Sequence, residues 1–154
     1  MLFLQFTAAA VISYLGLLAG FFLGSVTTEE LPTASKYFPM LQRAIILVIA
    51  VVMANYLGYP ILIRLLIYAV VIAATLTVID FRFFYPIFGA LLAFSEASSN
   101  WLLFLSSLVF LFGLVTGSLY FSKKKASLLR LLVGSCSYIF ISMILFASKF
   151  FIFK

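Results

Sequence analysis

The sequence predicts an all-α fold: a polytopic membrane bundle of six transmembrane helices. Three observations predict it. Hydrophobic residues make up 66% of the 154-residue chain and charged residues 9%, with mean hydropathy +1.30. A soluble domain carries about a quarter charged residues, so this much apolar surface has no aqueous solution. The apolar residues stand in unbroken runs, not in the roughly ten-residue alternating strands of a membrane barrel. Small residues recur within those runs at four-residue spacing, the mark of helices that pack closely in lipid. A helix needs about 20 residues to cross the hydrocarbon, so six crossings use most of the chain. Residues 1–154 therefore read as a single transmembrane domain.

Helix 1 is expected over 2–24. Its start lacks the positive region of a signal peptide and its apolar run is too long for one, so it reads as a retained helix. Gly16, Gly20 and Gly24 share a stripe with Gln5, Ala9 and Ser13, within about 100° of the helical wheel. Each glycine costs roughly 1 kcal/mol of helix propensity against alanine, and a close backbone approach offsets that cost. The stripe serves packing within the bundle or a seam between copies.

Residues 25–39 form the longest polar stretch. Thr27 with Glu30 fits a capping box and predicts a short surface helix. Glu29 and Glu30 read as solvated acids, with a paired-carboxylate cation site as the sharper alternative. Tyr37 and Phe38 suit the membrane interface.

Helix 2 is expected over 40–57, broken by Gly58-Tyr59-Pro60. Helix 3 follows over 61–80, and the tight break makes the two an antiparallel hairpin. Arg64 lies one turn inside helix 3, close enough to its end to snorkel. Asp80 shares a face with Ala69 and Ala73. Segment 4, over 83–99, is short and contains Pro86 and Gly89, so it is either a short tilted helix or re-entrant and broken. Helix 5, over 101–121, opens with Trp101 and carries Gly113 and Gly117 at four-residue spacing. Lys123, Lys124 and Lys125 follow. Helix 6, over 127–148, gathers Arg130, Gly134, Ser137, Tyr138 and Ser142 within roughly 160° of its wheel, the most polar face in the chain. Its hydroxyls either bond their own backbone or line a hydrated path.

Charge sets the orientation. If segment 4 crosses, one side holds Lys36, Arg43, Arg82, Lys123, Lys124, Lys125 and Arg130, and the other holds Arg64, Lys149 and Lys154. If it does not, the cations divide equally. The asymmetry of the first arrangement predicts six crossings with both termini outside the cytoplasm, and the plasma membrane is the expected location. The Lys123–Lys125 run then lies on the cytoplasmic surface, where anionic lipid attracts it. Gly16-Leu-Leu-Ala-Gly20 and Gly113-Leu-Val-Thr-Gly117 resemble each other, a likeness that apolar sequence also produces by chance.

The residues present exclude much chemistry. There is no histidine, one cysteine (Cys136) and four acids, of which Asp80 is the only aspartate. Histidine-held haem or zinc, a Ser–His pair, dithiol exchange and a two-aspartate dyad are all beyond one chain. No glycine-rich phosphate loop is present. The expectation is a non-enzyme without cofactor or metal. Scattered cations at helix ends argue against nucleic acid.

Two polar constellations remain. Gln5, Asn55, Arg64 and Glu96 fall near the outer edge, and Asp80 can meet Arg43, Arg82 or Arg130 near the inner one. Each is either an interfacial ion pair that sets helix register or a gate. The expected function is a transporter or channel protomer, or a permease-type subunit, for an unidentified solute. The alternative is a non-catalytic subunit of a larger membrane complex, with partner subunits or further copies of the chain around it.

Overall fold

The computed structural model describes residues 2–27, 29, 33, 35–77, 84–94, 99–123, 136 and 138–148. It is all-helical. The helices are α1 (Leu2–Val26), α2 (Phe38–Tyr56), α3 (Ile61–Thr77), α4 (Phe84–Phe94), α5 (Ser99–Lys123) and α6 (Tyr138–Ser148). Three of them, α1, α2 and α5, are long and apolar enough to cross a membrane. The other three are shorter apolar helices.

The boundaries follow local chemistry. Pro39 occupies the first turn of α2, where its missing N–H has no intrahelical duty. At the other end Leu57 and Gly58 donate to the carbonyls of Met53 and Asn55, and Gly58 adopts φ +66°, the left-handed conformation that stops a helix at glycine. Thr27 closes α1: its N–H and its hydroxyl both donate to the Leu23 carbonyl, at 3.0 and 2.9 Å. Glu30, the other half of its expected capping box, lies outside the described residues. In α4, Pro86 falls in the first turn, so the helix continues past it from Phe84 to Phe94. Its 11 residues span ~16 Å, about half the hydrocarbon thickness.

The centre of the fold is the α1–α5 pair. Ser13 bonds to the Ser106 carbonyl, Gly16 faces Phe110, Gly20 faces Leu114, and Gly24 faces Ser118. Residue numbers rise together along both helices, so α1 and α5 run parallel. Glycines make the approach: a Cβ added at Gly16 or Gly20 would strike the carbonyl of Phe110 or Leu114, and one added at Gly117 would strike that of Leu17. Small residues on both helices let backbone meet backbone, so dispersion is gained over the whole length of the pair. The Ser118 hydroxyl adds a bond to the Gly20 carbonyl at 2.8 Å.

The other helices are arranged around this pair. Gln42 lies against Thr116 and Tyr56 against Trp101, so α2 is antiparallel to α5. Phe6 stacks on Phe146 at 4.4 Å and Tyr14 meets Cys136, so α6 is antiparallel to α1. Gly89 of α4 sits against the backbone of α6 at Tyr138 and Ser142. α3 is peripheral: Thr75 is its one buried residue, and Leu62, Leu66, Val70 and Leu76 are all largely exposed.

Candidate functional site

The bundle encloses an uncharged polar cluster. Gln42 projects from the buried face of α2, among Ile45, Ile46 and Ile49. Its amide Nε2 donates to the Thr116 hydroxyl of α5 at 2.8 Å, and that hydroxyl donates to the Phe112 carbonyl at 2.8 Å. Tyr85 of α4 is fully buried, with its hydroxyl beside Gly113, 3.3 Å from where a Cβ would stand. Thr116 is also within electrostatic reach of that hydroxyl but does not meet hydrogen-bonding geometry with it. Tyr138 of α6 is buried in the same core, edge-to-face with Tyr85 at 6.1 Å between ring centres. Its hydroxyl faces Ser13, again short of a bond. Phe88 and Phe112 close the aromatic wall, edge-to-face at 5.0 Å.

Three polar atoms in this cluster have no hydrogen-bond partner among the described residues: Gln42 Oε1, Tyr85 Oη and Tyr138 Oη. Buried polar groups are ordinarily satisfied. The cluster contains no charged side chain, so it cannot fix an ion by charge pairing. It can offer hydroxyl donors and an amide acceptor to a small neutral molecule.

The polar face expected on helix 6 meets this cluster only in part. Tyr138 and Ser142 are buried, while Gly134, Ser137 and Arg130 lie outside the described residues. Ser142 donates to the Ile139 carbonyl at 2.9 Å and Ser148 to that of Leu145 at 2.8 Å, which is the backbone-bonded state of such hydroxyls.

At the α2–α3 turn, Arg64 Nη1 donates to Asn55 Oδ1 at 2.8 Å and Arg64 Nε to the Tyr59 carbonyl. Asn55 Nδ2 donates to the Val51 carbonyl at 2.9 Å. Gln5 is exposed on α1 and takes no part in these bonds. Glu96 lies outside the described residues, as do Asp80 and Arg82. Arg43 is half-buried near the start of α2, and its Nε has no partner among the described residues. Lys123 is the last residue of α5, and Lys124 and Lys125 lie outside the description.

Gln42, Thr116 and Tyr85 are absent from the constellations read from sequence. Gln42 was detectable: with Ile45, Ile46, Ile49 and Met53 it repeats at three- and four-residue spacing, so a polar residue stands in a buried stripe. Thr116 and Tyr85 carry no such signal, because Thr and Tyr are common on any membrane helix. No family model, no curated protein and no solved structure matches this chain.

Proposed function

We propose that this chain is a six-span integral membrane protein of the plasma membrane, a transporter or channel protomer whose solute is small and uncharged. One observation carries the reading: the neutral polar cluster of Gln42, Thr116, Tyr85 and Tyr138 buried among five helices. A bundle serving only as a scaffold gains little from burying these groups, since each must be hydrogen-bonded to be tolerated. The alternation of helix direction, with α1 and α5 parallel and α2 and α6 opposed to them, is compatible with six crossings, and the excess of cations on one side favours them. In this reading both termini lie outside the cytoplasm, Lys36 and Arg43 face inward and Arg64 faces outward. Lys123–Lys125 rests against anionic lipid.

The test is flux through the isolated chain. Proteoliposomes placed in osmotic gradients of glycerol, urea or sorbitol should shrink and re-swell faster than empty vesicles for the smaller solutes. Sodium and potassium gradients should persist. Rates equal to those of empty vesicles for every solute would overturn the reading.

A second reading is favoured by α3, whose large apolar side chains are nearly all exposed while only Thr75 is buried. In that reading the chain is a non-catalytic subunit and α3 packs on a partner. Stable co-purification with one fixed membrane protein from mild detergent, with no flux by the isolated chain, supports it.

A further inference from the structure

We propose that Gln42, Thr116, Tyr85 and Tyr138 hold internal water in the middle of the bundle. The inference shares its residues with the transport reading but does not depend on flux. Gln42 is 1% exposed, and Tyr85 and Tyr138 are 0% exposed, yet Gln42 Oε1 and both tyrosine hydroxyls lack partners among the described residues.

No neighbouring hydroxyl among the described residues bonds to either tyrosine hydroxyl, and the protons of Ser13 and Thr116 already go to backbone carbonyls. Ser13 shares its proton between the carbonyls of Ala9, at 2.7 Å, and Ser106, at 3.1 Å. Thr116 gives its proton to the Phe112 carbonyl and receives one from Gln42. What remains is two phenolic O–H groups that can donate or accept and one amide oxygen that only accepts. A ligand for this set must both donate and accept, must be neutral, and must be small enough to share space with edge-to-face rings. Water meets all three conditions, and buried waters typically bridge otherwise unsatisfied polar groups in this way. The glycine at 113 matters here, since a Cβ would stand 3.3 Å from the Tyr85 hydroxyl and take part of the room beside it.

Radiolytic hydroxyl labelling of the full chain in detergent tests the proposal, because radicals formed from a held water oxidise the side chains around it. Exposed Tyr37 and buried Phe6 are the references. Tyr85 and Tyr138 should oxidise about tenfold faster than Phe6, although all three are shielded from solvent. In Tyr85→Phe with Gln42→Met, which keeps ring and chain volume, oxidation at Tyr138 should fall about threefold as the water loses partners. Oxidation of Tyr85 and Tyr138 no faster than that of Phe6 would overturn the proposal, whatever the vesicle assays report. Unchanged labelling of Tyr138 in the double variant would equally overturn it.

Discussion

Gly20 of α1 lies so close to the Leu114 carbonyl of α5 that no methyl group fits between the two backbones. The contact is within one chain, and it recurs at Gly16 against Phe110 and Gly117 against Leu17. This contact area and the Ser13 and Ser118 cross-bonds hold the pair.

Gly20→Leu should therefore destabilise the protomer. Four added carbons must push α1 off α5 along its length, a cost of about 1–3 kcal/mol or more for overpacking. The midpoint of thermal unfolding in detergent should fall, whereas Leu15→Ala, on the exposed side of the same helix, should leave it near the parent value. A folded Gly20→Leu protein with an altered oligomeric state would place the seam between chains.

Gly58 gives a cleaner backbone test. Its φ is +66° and nothing lies within 4 Å of an added Cβ. Gly58→Ala meets no clash, so its whole effect is the left-handed conformation, about 1–2 kcal/mol. Gly58→Asn should cost less, because asparagine tolerates that region. Equal unfolding midpoints for Gly58→Ala and the parent would show that the turn is reorganised without cost.

The Gln42–Thr116 bond can be weighed by a double-mutant cycle. Thr116→Val leaves the Gln42 amide buried without its acceptor and should cost about 1–3 kcal/mol. Gln42→Met alone removes the donor but keeps Thr116 bonded to Phe112, so it should cost less. The double variant should recover part of the loss, with a coupling of about 0.5–3 kcal/mol read from chemical or thermal unfolding. Strict additivity would mean that the bond contributes nothing to stability.

Helix content and much of the helix order were legible because long apolar runs broken by glycine and proline mark helices and their ends directly. The stops were legible where a residue is chemically committed: Gly58 ends α2 and Pro39 opens it. Thr27 bonds back into α1, a role open to any threonine after an apolar run, and the rest of its expected capping box lies outside the described residues. The small-residue spacing was legible as packing, since Gly16 and Gly20 lie on the helix that bears Gly113 and Gly117. Of the polar cluster, Tyr138 was read from sequence on the polar face of helix 6, and Gln42 was detectable as a polar residue in a buried stripe. Tyr85 and Thr116 gain meaning only from neighbours distant in sequence, for reasons of packing that periodicity does not encode: Tyr85 lies beside Gly113, and Thr116 beside Gln42.

Helix direction makes the last prediction. Because α1 and α5 run parallel, a chain that crosses with both must cross an odd number of times between them. Either α2 crosses alone, or α2, α3 and α4 all cross; one of α3 and α4 cannot cross without the other. Single cysteines in a Cys136→Ser background separate the two cases. Glu29→Cys follows α1 and Tyr59→Cys sits in the α2–α3 turn, so they should report opposite faces whichever case holds. Arg82→Cys, between α3 and α4 in sequence, decides. With six crossings it shares the cytoplasmic face with Glu29→Cys and resists an impermeant maleimide added outside, as the excess of cations on that side favours. Labelling of Arg82→Cys from outside, together with Tyr59→Cys, would reduce the protein to the crossings of α1, α2, α5 and α6. That outcome would leave the glycine-mediated α1–α5 contact intact and turn α3 and α4 into helices that enter and leave by the same face.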